Sequence, residues 1–116
     1  MNIVFIYNKG EIKFENKIKD LKRFIEENSN TYKIKILSKI TNRQNCDLYV
    51  ILSDDINDIY KHFDKIKSKE RVLIITSNIT APHVIACINI TNNITYLENS
   101  CEVILNRINK IYEKNK

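Results

Sequence analysis

The chain is predicted to fold as a three-layer α/β sandwich around a doubly wound, five-stranded parallel sheet of order 2-1-3-4-5. Three observations predict it. Apolar runs of strand length alternate with amphipathic runs of helix length from one end of the chain to the other, which implies parallel strands joined by helices. Three of the apolar runs have almost no polar position on either side, as strands buried on both faces do. One run instead alternates with lysines, as an edge strand does. The doubly wound order puts that strand at a margin and the first, third and fourth strands inside.

The first strand is Asn2-Ile-Val-Phe-Ile-Tyr7, stopped by Asn8-Lys9-Gly10. Beyond the only glycine, Phe14, Ile18, Leu21 and Ile25 recur at spacings of four, three and four, one stripe of a helix that ends at Asn28-Ser29-Asn30. Tyr32-Lys-Ile-Lys-Ile-Leu37 is the alternating strand, with Lys33 and Lys35 opposite Tyr32, Ile34 and Ile36. Ser38 to Asn45 is too short and polar to predict a helix. Leu48-Tyr-Val-Ile-Leu52 is a fully apolar strand. Ser53-Asp54-Asp55 then supplies side chains that can cap a helix carrying Ile56, Ile59, Tyr60, Phe63 and Ile66. Val72-Leu-Ile-Ile75 is the next buried strand, and Thr80 with Pro82 marks a helix start whose apolar face is Val84, Ile85 and Ile88. Ile94-Thr-Tyr-Leu97 is the last strand. Ser100 is the expected N-cap of a helix with Ile104, Leu105, Ile108, Ile111 and Tyr112 inward.

With 116 residues and no linker or repeat, the chain is expected to be one domain, residues 1–116, burying about two thirds of its unfolded surface. No apolar run approaches the ~20 residues of a membrane helix, and Ile3-Val-Phe-Ile6 follows Met1-Asn2 without a basic region, so a cytoplasmic protein is expected. The net charge of +5 invites a nucleic-acid reading. The lysines, however, are spread among acids on helix faces, the strand ends are not basic, and the richness in Ile, Asn and Lys points to an AT-rich genome; the reading is against a nucleic-acid partner. Cys46, Cys87 and Cys101 are odd in number and lack C-x-x-C spacing, which signals neither a disulfide framework nor zinc. They are expected to be reduced core residues, although Cys101 stands beside a helix start that could lower a thiol pKa. His62 and His83 are read as surface or packing residues rather than bases. The Asn-Ile-Thr triplets at 78, 89 and 93 are chance sequons in an Asn-rich chain.

Ligands of such sheets bind beyond the carboxyl ends of the strands, which turns the fold into a residue list: Tyr7 and Asn8; Ser53, Asp54 and Asp55; Thr76 and Ser77; and Glu98. No G-x-G-x-x-G or Walker A motif is present, and Gly10 alone cannot form a phosphate cradle. Helix starts at Asp54, Thr80 and Ser100 could still offer N–H groups to an anion.

In order and spacing, nearly the whole chain resembles the receiver domains of bacterial two-component signalling, which are flavodoxin-like. Cys46-Asp-Leu-Tyr-Val-Ile-Leu-Ser-Asp54 is similar to the strand ending in the phosphoacceptor Asp, Val72-Leu-Ile-Ile-Thr-Ser77 to the strand ending in the switch hydroxyl, and Tyr96-Leu-Glu-Asn99 to the segment ending in a Lys. The departures are that Tyr7 and Asn8 replace the acidic pair that holds Mg²⁺, that Glu98 or Asn99 replaces the Lys, and that the segment after the third strand is short and lacks Pro and Gly. Phosphoryl transfer needs the cation and the positive charge; Asp54 could accept only if Asp55 and Glu98 supplied a metal site. Val4 to Asn8 and Cys46 to Ser53 also resemble TIR domains, some of which cleave NAD, but the next helix lacks their Trp-Cys and following Glu, so that activity is not carried over.

The resemblance with these departures implies a pseudo-receiver, a regulatory or docking module. No catalytic activity, cofactor or metal is expected. The partner would be another protein or a second copy of the chain, met on the face of the last two helices and last strand. The alternative is a nucleotide- or small-ligand-binding domain using the carboxyl edge.

Overall fold

The computed structural model describes residues 1–38 and 46–115. Strands β1 (Asn2–Tyr7), β2 (Lys33–Leu37), β3 (Leu48–Leu52), β4 (Val72–Thr76) and β5 (Ile94–Tyr96) form a parallel sheet in the order β2-β1-β3-β4-β5. Helices α1 (Ile12–Asn28), α2 (Ile56–Ile66), α3 (Ala81–Ile90) and α4 (Cys101–Lys114) connect and cover them, and a 3-10 turn at Lys69–Arg71 leads into β4. The fold class and strand order are those the sequence predicts. The prediction for Ser38 to Asn45 falls, apart from Ser38, outside the described residues.

Side chains of β1, β3 and β4 alternate between two cores. Ile3, Phe5, Leu48, Val50, Leu52, Leu73 and Ile75 meet Phe14, Ile18, Leu21 and Ile25 of α1 and Ile104, Ile108 and Ile111 of α4. Val4, Ile6, Tyr49, Ile51, Val72 and Ile74 meet Ile59 and Ile66 of α2 and Cys87 and Ile90 of α3. That division explains the unbroken apolar runs: every position of a central strand lies under a helix. β2 is at the edge, with Lys33 and Lys35 exposed, and is anchored by the Tyr32 hydroxyl, which donates to Asn109 of α4.

One helix is rotated from the expected phase and another departs from it at one position. In α2 Ile56, Ile59, Phe63 and Ile66 pack against the core as expected, but Tyr60 is exposed and His62 is buried. In α3 the buried residues are His83, Cys87 and Ile90, whereas Ile85 and Ile88 face outward and Val84 is half-buried. The expected apolar face of α3 is therefore largely its outer face. A helix apolar all round carries no phase of its own, and a specific contact of His83 sets it, as described below. Cys87 is fully buried as expected, but Cys46 and Cys101 are only partly so.

Candidate functional site

Parallel strands bring the ends of β1, β3 and β4 and the first turn of α1 to one edge of the sheet. At its centre stands Asp54, the second residue after β3. Its neighbour Ser53 shapes the turn: Ser53 N–H donates to Ile75 O at 3.1 Å, extending the β3–β4 ladder, and Ser53 Oγ accepts from Asp55 N–H at 3.0 Å. Asp55, and not Asp54, caps α2, its Oδ1 accepting from Asn57 N–H at 2.9 Å. The Asp54 carboxylate is thereby left to face β4.

Five donors converge on it. Oδ1 accepts from Thr76 Oγ1 at 2.9 Å, Ser77 N–H at 2.6 Å and Asn78 N–H at 3.1 Å. Oδ2 accepts from the Ser77 hydroxyl and from the Lys13 ammonium, and Lys13 Nζ also donates to Ser77 Oγ at 3.0 Å. A carboxylate offers about four lone-pair positions, so this one is saturated. Burial opposes its ionisation, but the hydrogen bonds from Lys13, Ser77 and Thr76 outweigh burial and hold Asp54 well below the usual carboxylate range. In return, the hydrogen bond to Asp54 raises the Lys13 ammonium above its ordinary value against a smaller desolvation. With the Lys13 side chain 51% exposed and that of Asp54 26%, the ion pair itself is worth no more than about 1 kcal/mol; the fixed donors of β4 matter more.

The network continues inward. Thr76 Oγ1 also accepts from Asn78 N–H at 3.2 Å and lies 3.0 Å from His83 Nε2. Because the single Thr76 hydroxyl proton goes to Asp54, the histidine contact is assigned as Nε2–H donating to Oγ1. Cys87 Sγ lies 3.5 Å from the same nitrogen. His83 is buried in the first turn of α3, so Asp54, Thr76 and His83 link the sheet edge to the setting of that helix.

Of the residues predicted from strand ends, Asp54, Thr76 and Ser77 come together. Ser53 and Asp55 shape the backbone. Asn8 turns to α2, its amide donating to the Asp58 carboxylate. Tyr7 packs against the α1–α4 core, and Glu98 is exposed and joined to none of the others by a hydrogen bond or ion pair among the described residues. Lys13 and His83 are the additions. Lys13 comes from a crossover helix instead of a strand end, which is why inspection of strand ends misses it. The available signal is its i, i+4 pairing with Lys17, whose Nζ donates across the same edge to Asn99 O at 2.6 Å.

A divalent cation does not fit this arrangement. The Asp54 carboxylate is already neutralised by an ammonium, Asn8 and Asp58 hold each other, and Asp55 caps α2; no group of three His, Cys, Asp or Glu side chains gathers there among the described residues.

No family model matches the sequence, and no curated protein matches it. The fold does match solved structures. The receiver domain of a Francisella response regulator superposes with a TM-score of 0.71 over 99% of this chain and 98% of that one, at 16% identity. A fusion carrying the yeast Spc42 trimeric coiled coil superposes with a TM-score of 0.71 over 99% of this chain and 83% of that one, at 13% identity. At these identities the likeness shows the fold alone: a receiver-like α/β module.

Proposed function

We propose that the chain is a non-catalytic receiver-like module that acts through protein contacts, its switch edge held in one state by the internal donors that saturate Asp54. The observation that carries this reading is the saturation of Asp54 by five donors, two of them backbone N–H groups that cannot rotate away. To attack a phosphoryl donor, the carboxylate would have to release at least one donor. It would then need a divalent cation beside the new phosphoryl group, and no group of three His, Cys, Asp or Glu side chains gathers there among the described residues. The alternative of a nucleotide or small ligand at this edge meets the same obstacle.

Intact-mass spectrometry after incubation with acetyl phosphate and Mg²⁺, and one-dimensional NMR with beryllofluoride, are expected to leave the chain unchanged. A phosphoryl adduct on Asp54 overturns the reading. So does a rise in Tm with a nucleotide: a ligand present at a hundred times its Kd adds about 2.7 kcal/mol of stability.

A further inference from the structure

From Val72 to Leu97 the sequence contains no Asp, Glu, Lys or Arg, in a chain where 28% of residues carry a charge. The stretch includes all of α3. One side of this helix is used by the fold, through His83, Cys87 and Ile90. The other side exposes Ile85 (58%) and Ile88 (49%), and Ile79, just before the helix, is 71% exposed. Cations gather where this apolar face ends, at the amino edge of the sheet. Ile88 lines a groove of about 390 Å³ with Lys69, Glu70 and Lys114; an adjoining groove, which shares Glu70 and Lys114, adds Arg107 and Lys110. Four cations thus stand against Glu70 as the one acid lining the pair, a local charge of +3. Lys69, Lys110 and Lys114 form no ion pair among the described residues. Arg107, Lys110 and Lys114 recur at spacings of three and four, one stripe of α4, and the Arg107 guanidinium donates to Asn92 O and Ile94 O at 3.4 Å, which holds it beside β5. Only Lys114 lies in the last turn of α4, where a cation complements the carbonyl end of a helix.

We infer that this corner of the molecule, the outer face of α3 together with the cations at its end, docks onto an anionic lipid surface. The occupant has to meet exposed isoleucines and unpaired ammonium groups side by side. A second copy of the chain brings the same net charge of +5 and is repelled. A nucleic acid pairs with the cations but leaves Ile79, Ile85 and Ile88 in water, and neither groove offers an aromatic ring on which a base could stack. An anionic bilayer meets both demands: its headgroups carry the negative charge, its acyl boundary lies within about 5–10 Å of them, and a fluid surface asks for no matched shape. Each Lys or Arg held near such a surface strengthens binding about fivefold. Three isoleucines are a small apolar anchor, so the charge and the apolar face are both required and the attachment is reversible.

The inference goes beyond the interaction-module reading and fails separately from it: phosphorylation of Asp54 would sink that reading and leave this corner untouched. The test is flotation of the full chain with vesicles of phosphatidylcholine, either alone or with about 40% phosphatidylglycerol. The expected result is binding to the anionic vesicles only, at least tenfold weaker when salt is raised from about 50 to about 500 mM. Lys110→Gln with Lys114→Gln should weaken it at least tenfold, and Ile85→Ser with Ile88→Ser about tenfold, with unchanged far-UV circular dichroism in both. Lys33→Gln with Lys35→Gln, the same loss of charge at the β2 edge of the sheet, should change it less than about threefold, because those positions lie beyond the screening length. Absence of binding to the anionic vesicles, equal binding to both compositions, equal weakening by the two lysine pairs, or indifference to the Ile85 and Ile88 substitutions would overturn the inference. A chain that ignores the vesicles but binds soluble polyphosphate, or that dimerises through Ile85 and Ile88, would assign the corner to that occupant and overturn it too.

Discussion

α1 and α3 lie on opposite faces of the sheet and are built on opposite plans. α1 carries charged residues along its solvent side and buries Phe14, Ile18, Leu21 and Ile25 at regular spacing, so its own sequence dictates which way it faces. α3 has no charged residue and no amphipathic pattern; it is oriented by one buried hydrogen bond, from His83 to Thr76. A helix with its own phase is anchored by area, whereas a helix without one is anchored by a polar contact that belongs to the site.

The largest way to test that contrast is to remove area. Phe14→Ala should destabilise the fold by about 3–5 kcal/mol in urea unfolding, whereas Ile85→Ala, on the outer side of α3, should stay within about 0.5 kcal/mol. Equal losses at the two positions would mean that α3 too is held by area.

Next in size is the polar anchor. Thr76→Val keeps the side-chain shape but leaves the buried His83 N–H without its acceptor and takes one donor from Asp54, a loss of about 1–3 kcal/mol. Thr76→Ser should recover most of it. The effect should appear as faster amide exchange in α3 than in α1; uniform loosening of both would contradict the anchoring role.

The smallest effect is in pH. Burial lowers the His62 imidazole below its usual value, against the opposing charge of Asp58 and with a further push from Lys61 and Lys65. The unfolded chain therefore takes up this proton first as pH falls. Stability is complete above about pH 6.5, the unfolded value, and declines below it until the folded imidazole also protonates. Asp54 has the same sign further down: its depressed carboxyl contributes stability above about pH 4 that is lost in stronger acid. Urea unfolding across pH 4.5–7.5 should show a slope that His62→Gln abolishes; a slope that survives the substitution would place the titrating group elsewhere.

The same contrast explains what the amino-acid sequence reveals. Unbroken apolar runs such as Leu48–Leu52 and the Lys33–Lys35 alternation identify the central and edge strands, because burial on both faces leaves a pattern in a few consecutive residues. The ends of those strands point to Asp54, Thr76 and Ser77. The phase of α3 is hidden because Val84, Ile85 and Ile88 are as apolar as the residues actually buried, and the deciding residue, His83, looks polar. Lys13 is hidden for another reason: it meets Asp54 across 41 residues of chain, through the placement of a crossover helix, and nothing local to Asp54 announces a distant cation.

The uncharged stretch from Val72 to Leu97 has one more consequence, which belongs to the unfolded chain. Charged residues that interrupt apolar strands keep nascent or denatured polypeptides from pairing with one another. Here Val72-Leu-Ile-Ile-Thr76 is followed by no such interruption until Glu98. Charge guards β4 on one side only, at Lys69-Glu70-Arg71, so until it is enclosed between β3 and β5 its apolar run is open to pairing from the other side.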